Sequence, residues 1–195
     1  MSRFPSLPSP PQLGDAFKQF GRGTWPLMVF HDDVLRGPSE WSVADRELMA
    51  AYVSAVNACG FCHGAHRQIA EIQGIDPALF DDILVAPESA AIAPGLAAVL
   101  TYIGKLTREP ARVTDADAAL VFAAGVSEQG LFDAITVCAL FNFMNRIVEG
   151  VGVTGSALAL EATRARHEDM RDSREPYQAF ARSLVFSPDN TDAGQ

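Results

Sequence analysis

Cysteine, basic side chains and long apolar runs are all scarce in this 195-residue sequence. The three cysteines are too few, and odd in number, to hold together a disulfide-stabilised secreted domain. Fifteen Lys and Arg against 24 Asp and Glu give a net charge of −9, which argues against binding to a phosphate backbone. We therefore expect neither an extracellular disulfide scaffold nor a nucleic-acid-binding protein.

No apolar run approaches the roughly 18 residues that a membrane helix needs, and the longest runs are 118–126 and 134–143. The N-terminus also lacks the apolar stretch of about 7–15 residues that a secretory signal requires. We therefore expect a cytoplasmic protein without membrane contact. Apolar residues still make up 48% of the chain, which is enough for a sizeable core and excludes disorder throughout.

The chain divides into three predicted regions. Residues 1–12 contain four prolines and predict an extended N-terminal arm. Residues 13–186 have helical patterning, and residues 187–195 predict a flexible tail. No convincing alternating strand or internal repeat is found. The predicted fold is all-α, a multi-helix bundle in a single domain.

Prolines, glycines and one capping pattern bound the predicted helices. Ser42 with Asp45 resembles a capping box, with Asp in place of Glu. The helix that follows falters at 57–60. The remaining helices are predicted over 15–20, 28–35, about 60–73, 77–84, 94–106, 115–124, 128–149, 156–171 and 176–185.

The residues able to carry chemistry are concentrated in one segment, which reads ELMAAYVSAVNACGFCHGAH. On a helix, its residues Cys59, Cys62, His63 and His66 fall within about 100° of arc. Two thiols at this spacing can close and reopen a disulfide, and a histidine one turn away can exchange the thiol proton. The break before Cys59 puts this thiol in the first turn of a helix, where the helix dipole favours a thiolate.

Glu47 is the second clue, because its helical neighbours are small and apolar. Such surroundings predict a partly buried carboxylate, and burial raises a carboxyl pKa toward the range useful for proton transfer. In one continuous helix, Glu47 and Cys59 would lie about 18 Å apart. They can meet only if the chain turns at 57–60.

The spacing Glu, eleven residues, Cys, two residues, Cys, three residues, His resembles the active-site signature of the alkylhydroperoxidase D-like family, part of the carboxymuconolactone decarboxylase superfamily. Glu47, Cys59, Cys62 and His66 fit all four positions. The resemblance is firmest over residues 40–75.

The wider layout, with its proline-rich arm and the later sequence FNFMNR at 141–146, is similar to the branch described as peroxidase-related proteins. One position departs from the alkylhydroperoxidase type, whose members often have a histidine just before the second cysteine. Phe61 stands there, and His63 follows the cysteine instead. This difference concerns the identity of the substrate and of the electron donor more than the thiol chemistry itself.

The resemblance implies a thiol-dependent peroxidase that reduces organic or hydrogen peroxide. Cys62 would attack the peroxide, and Cys59 would supply a proton and then resolve the sulfenic acid as a disulfide. His66 and Glu47 would form the proton relay. The resemblance also implies no bound metal or organic cofactor, an external dithiol reductant such as a lipoyl-bearing protein or another thiol carrier, and a homo-oligomer.

Four further residues are accessory candidates. Asn142, Asn145 and Arg146 are spaced to share one helix face, so they either line the pocket, form an interface or build a buried hydrogen-bond network. His63 is the fourth, from its place beside Cys62.

Three other residues are assigned no chemistry. Cys138 lies in an apolar helix and is predicted to be a core residue. His31 and His167 have no partner in the sequence and are predicted to be structural or exposed.

Other interpretations of the cysteine pair stay open. A zinc site would need His63 or His66 together with Cys138. The pattern CxxCH also matches haem attachment, which normally demands export, and the pair could be inert core cysteines. On the same fold, a non-redox lactone decarboxylase would have no use for a dithiol, whereas a redox sensor would use the same dithiol without sustained turnover.

Overall fold

The computed structural model describes residues 3–155 and 157–189, apart from the side chains of 157–159, and these residues contain no β-strand. Their ten α-helices are α1 Leu13–Gln19, α2 Thr24–Arg36, α3 Val43–Val56, α4 Gly60–Ile72, α5 Leu79–Val85, α6 Pro94–Arg108, α7 Asp115–Ala123, α8 Glu128–Val151, α9 Ala157–Asp169 and α10 Pro176–Ser183. Two short 3₁₀ helices lie at Pro87–Ser89 and Pro110–Arg112. The predicted all-α fold is confirmed.

A helical hairpin formed by α3 and α4 positions the segment singled out in the sequence. Ser42 caps α3 as predicted, because its Oγ accepts from the Asp45 backbone N–H at 3.1 Å while the Asp45 carboxylate accepts from the Ser42 N–H at 3.1 Å. Ala58 then adopts a left-handed φ of 55°, and α4 begins directly after Cys59. The predicted turn at 57–60 is confirmed.

Helix α3 is the centre of the bundle. Residues 46–54 are all buried, so this helix has no solvent face along most of its length. Helices α2, α4, α6 and α8 pack around it, and α10 packs on α2. Helix α9 lies on α4, where a Cβ at Gly64 would come within 3.2 Å of Leu160. The missing side chain at Gly64 therefore lets α9 pack closely on α4.

Helix boundaries differ from the predictions mainly in α2 and between helices. Helix α2 begins at Thr24 instead of 28, because Gly23 adopts a left-handed φ of 80° at the N-cap position. The two 3₁₀ helices were not predicted. Residues 3–12 contain no helix, and most of the predicted tail lies outside the described residues, so the division into arm, domain and tail stays a prediction.

Helix α8 is the one described helix whose length and composition would allow a membrane span. Half of its most apolar stretch is buried inside the fold, and it packs against α3, α6, α2 and α4. Core helices of soluble proteins have the same length and composition, so this property is weak evidence for a span.

Candidate active site

Glu47 lies in a buried polar cluster built from α2, α3, α4 and α10. Its carboxylate is fully buried and contacts three side chains. Arg36 Nη2 lies 2.7 Å from Oε1, and the Tyr177 hydroxyl donates to the same oxygen at 2.9 Å. His66 Nδ1 lies 2.6 Å from the other oxygen, Oε2. The structure therefore joins Glu47 and His66, which the sequence places 19 residues apart.

The electrostatics of Glu47 differ from the prediction. Burial does push the pKa of Glu47 upward, but the charge of Arg36 and the contact with His66 outweigh burial and hold this pKa well below its usual value. Glu47 is therefore ionised, and the His66 Nδ1–H donates to it, which leaves Nε2 for proton exchange. The expectation of a raised pKa was wrong, because Arg36 reaches the carboxylate from another helix.

The ring of His66 is fixed on both sides. It meets Phe141 edge-on with 4.4 Å between ring centroids, and it stacks with Tyr177 at 6.4 Å and an interplanar angle of 17°. Together with the Glu47 contact, this packing sets the direction of Nε2.

Cys59 and Cys62 are free thiols in hydrogen-bond contact with each other. Cys59 is the N-cap residue of α4, and its backbone N–H donates to the Ser54 carbonyl at 2.9 Å. The Cys62 thiol and backbone N–H donate to the Cys59 sulfur and lower the pKa of Cys59. The same contact, with burial, raises the pKa of Cys62 well above its ordinary value. Cys59 is therefore the more acidic thiol.

Helix α8 brings two more polar side chains to this pair. Asn145 hydrogen-bonds to Cys62 and works to lower the pKa of that thiol. Glu149 contacts Cys59 and works to raise the pKa of Cys59. The Asn145 amide is itself held, since its Nδ2 donates to Ser54 Oγ at 3.0 Å.

The neighbouring candidates on α8 lie beside this contact and not in it. Asn142 donates to Thr107 Oγ1 at 3.3 Å and accepts from Asn57 Nδ2 at 3.1 Å. Arg146 is exposed and donates to Asn142. The structure thus brings Asn145 to the thiols and leaves Asn142 and Arg146 in a hydrogen-bond network at the edge.

A cavity of about 170 Å³ opens beside Cys62 and His66. Cys62 is 4% exposed and lines it, whereas Cys59 is 0% exposed and does not. The wall is largely apolar, with polar side chains contributed by α2, α9 and α10. The apolar lining includes Met28, Phe61, Ile69, Phe141, Met144 and Phe180, and the polar lining includes His31, Thr163, Arg166, His167 and Tyr177.

His31 and His167 were predicted to be structural or exposed, and neither is exposed. Both are 3% exposed and line the cavity, with ring centroids 5.2 and 5.6 Å from that of Tyr177. Burial lowers the pKa of His31 to about 4 and the pKa of His167 to about 3. Both imidazoles are therefore neutral near pH 7.

The sequence did not predict three residues of the site, which are Arg36, Tyr177 and Asp32. Asp32 accepts from the backbone N–H groups of Tyr177 and Gln178 at 3.0 and 2.8 Å, which fixes the first turn of α10 on α2. This contact places the Tyr177 hydroxyl against Glu47. No local pattern marks these residues, because Tyr177 lies 130 positions from the carboxylate that it contacts.

His63 faces away from the cavity. Its Nδ1 lies 3.0 Å from the Ala51 carbonyl, and its ring meets Phe80 edge-on. Cys138 is 1% exposed and lies 3.3 Å from Thr107 Oγ1, in the core as predicted. Within the described part of the chain, no three His, Cys, Asp or Glu side chains are grouped in a way that could hold a metal ion.

Comparisons with known proteins identify relatives of this chain. Residues 22–104, which include the Glu47 to His66 segment, match the carboxymuconolactone decarboxylase family. A search of curated proteins found no match.

Two solved structures are similar to this one. The first is an uncharacterized peroxidase-related protein from Silicibacter sp. TM1040, with 24% identity, a TM-score of 0.64, and coverage of 69% of this chain and 71% of that chain. The second, from Ralstonia eutropha JMP134, is described as an alkylhydroperoxidase AhpD core and an uncharacterized peroxidase-related protein. Its identity is 24%, its TM-score is 0.63, and the coverage is 71% and 73%.

At this level of identity the two structures establish the shared fold. The family match over residues 22–104, together with that fold, confirms the predicted resemblance to the alkylhydroperoxidase D-like, carboxymuconolactone decarboxylase superfamily.

Proposed function

We propose that this protein is a thiol-dependent peroxidase that reduces organic or hydrogen peroxide through a Cys59–Cys62 disulfide cycle. One observation carries the proposal. Cys62 and His66, one turn apart on α4, line the same cavity, while Cys59 contacts Cys62 from outside that cavity. A peroxide that enters therefore meets the attacking thiol and a proton-exchanging imidazole side by side.

The first step oxidises Cys62. Cys59 is the more acidic thiol and ionises first, and its thiolate accepts the Cys62 proton through their hydrogen bond. The Cys62 sulfur then attacks the terminal peroxide oxygen, so that an S–O bond forms and the O–O bond breaks. The leaving alkoxide takes a proton delivered through His66, and an alcohol departs. Cys62 is left as a sulfenic acid.

The second step forms the disulfide. Cys59 gives up the proton that it took from Cys62, and its sulfur attacks the Cys62 sulfenic sulfur, so that an S–S bond forms and the S–O bond breaks. That proton passes through His66 to the hydroxyl, which leaves as water. The two thiols lose two electrons in all, and the peroxide gains them. In both steps Glu47 keeps the His66 ring in one tautomer, and Arg36 and Tyr177 act as positioning residues that hold the carboxylate.

The cycle closes with an external dithiol. A lipoyl-type or other thiol carrier protein would exchange with the disulfide and leave oxidised, which restores both cysteines. None of these steps uses a bound metal or organic cofactor. The proposal includes a cytoplasmic location, because thiols persist in a reducing compartment. It also includes a homo-oligomeric state.

The test follows peroxide consumption in the wild type, Cys59→Ser and Cys62→Ser with a dithiol reductant present. We expect sustained turnover in the wild type only. Cys59→Ser should consume one equivalent and accumulate a trappable sulfenic acid, and Cys62→Ser should consume none. Peroxide consumption that neither substitution slows would rule out the proposal. A single equivalent consumed by the wild type despite excess reductant would indicate a sensor.

A matched pair of histidine variants tests the relay. His66→Asn should slow peroxide consumption by about a hundredfold, the lower end of what a general acid–base group contributes. His63→Asn, three residues earlier on the same helix, should leave the rate within about twofold because His63 faces away from the cavity. Equal effects of the two substitutions would contradict the assigned relay.

A further inference from the structure

Arg166 is a cation in the cavity wall without an anionic partner among the residues that the structure describes. Its Nε is buried and makes no hydrogen bond to any of the described residues. The guanidinium carbon lies 4.8 Å from the Phe180 ring centroid, and Nη2 lies 3.5 Å from His167 Nε2. Neither neighbour supplies negative charge.

Two other arginines near the site are compensated by carboxylates. Arg36 contacts Glu47 at 2.7 Å, and Arg164, two residues from Arg166 on α9, pairs with Glu168 at 2.9 Å. Arg166 is partly buried, and this burial without a counter-charge disfavours its charged form and lowers the pKa of Arg166. A negatively charged ligand in the cavity would supply the missing charge.

The rest of the cavity is suited to a short hydrocarbon chain. Ile69 and Phe141 lie in the wall that also contains Cys62 and His66. An engineered cavity of about 150 Å³ accommodates benzene, so a space of about 170 Å³ encloses a small organic molecule. Such a ligand would place its apolar body along this wall and its charged end at Arg166.

We propose that the cavity binds the carboxylate end of its ligand at Arg166, so that the substrates are short-chain organic hydroperoxides carrying a carboxylate. The hydroperoxide half of this statement rests on the proposed peroxidase function, whereas carboxylate binding does not. An arginine fork suits a carboxylate because two parallel N–H donors meet its two oxygens.

Direct binding tests the site without any turnover. Hexanoate and hexanamide, which match in length and differ in charge, are titrated by NMR into the reduced wild type, Arg166→Gln and Arg164→Gln. We expect hexanoate to bind the wild type at least about tenfold more tightly than hexanamide, as for a hydrogen bond to a charged group. Arg166→Gln should abolish this preference, and Arg164→Gln should retain it.

Equal binding of the two ligands to the wild type would overturn the inference, as would a preference that survives in Arg166→Gln. A smaller assembly of Arg166→Gln in solution would also overturn it, by assigning this arginine to a subunit contact. If Arg166→Gln does not fold, Arg166→Lys replaces it, and this variant should bind hexanoate more weakly than the wild type.

A kinetic comparison separates the two proposals. A short carboxylated hydroperoxide and its amide are offered to the wild type and to Arg166→Gln, and only the wild type should prefer the carboxylate. Selective hexanoate binding in a protein that consumes no peroxide would refute the peroxidase and leave the carboxylate site standing. Peroxidase activity without a preference for the carboxylate would refute the carboxylate site and leave the peroxidase standing.

Discussion

The Tyr177 hydroxyl donates a 2.9 Å hydrogen bond to Oε1 of Glu47, the oxygen that Arg36 also contacts. His66 uses the other oxygen, Oε2, at 2.6 Å. One oxygen therefore anchors the carboxylate to the scaffold, and the second orients the imidazole. The position of the His66 ring therefore depends on α2 and α10, which hold Glu47, as well as on α4.

Tyr177→Phe tests this anchoring and removes one hydroxyl. We expect the free energy of unfolding to fall by about 2 kcal/mol, because a hydrogen bond to a buried charge is lost. Peroxide consumption should fall by less than about tenfold, since Arg36 still holds the carboxylate.

Glu47→Gln should be more damaging than Tyr177→Phe, because it leaves the charge of Arg36 buried and unpaired. It should cost about 3–5 kcal/mol of stability and greatly slow the reaction. Urea denaturation and initial rates measure both effects. A Tyr177→Phe variant as damaged as Glu47→Gln would contradict the division between the two oxygens.

The thiols should titrate in a fixed order. Cys59 should ionise below the ordinary thiol range in the wild type, because the Cys62 thiol and N–H stabilise its charge. In Cys62→Ala that pKa should rise, and in Cys59→Ala the pKa of Cys62 should fall toward its ordinary value. Thiolate absorbance in a Cys138→Ala background reports each titration, and an unchanged Cys59 pKa in Cys62→Ala would refute the coupling.

Asn145 and Asn142 form a matched pair on α8. Asn145→Ala should slow peroxide consumption several-fold, because it removes a hydrogen bond that favours the Cys62 thiolate. Asn142→Ala removes contacts to Thr107, Asn57 and the core residue Cys138 but none to Cys59 or Cys62, so its rate should stay near that of the wild type. Rates are compared at matched folded fractions. Equal loss in both variants would assign Asn145 a structural role only.

Stability should fall as the pH drops below about 6.5. Burial lowers the pKa of His31 to about 4 and that of His167 to about 3, whereas an unfolded histidine takes up its proton near 6.5. The unfolded state therefore binds more protons in this window, and acid favours unfolding. For His31 the contribution is about 3 kcal/mol, fully present above pH 6.5 and lost as the pH falls toward 4.

Glu47 affects stability in a separate, more acidic pH range. Its pKa lies well below the usual 4.5, so its contribution is present above that pH and is lost only in stronger acid. Urea midpoints measured between pH 7 and about 4.5 should therefore report the two histidines. Replacing both with Asn should flatten this pH dependence, and an unchanged slope would show that they titrate normally.

Local patterning was sufficient for the helices and for the thiol pair. Ser42 and Asp45 marked the start of α3, and the faltering pattern at 57–60 marked the turn that lets Glu47 approach His66. Spacing also placed Cys62 and His66 one turn apart, since that relation depends only on helical geometry. The same geometry misplaced His63, because facing the cavity depends on what packs beside α4.

The sequence by itself determined an all-helical chain with two thiols, a histidine and a carboxylate at helical spacing around one turn. Only the tertiary structure decided that Arg36 keeps Glu47 ionised while Tyr177 helps to anchor it, and that Cys59 is the more acidic thiol. It also decided that Arg166 lines the cavity with no counter-charge from the described residues. Helical spacing follows from local backbone geometry. A buried group's pKa depends instead on charges and burial contributed by distant segments, which meet only when the helices pack.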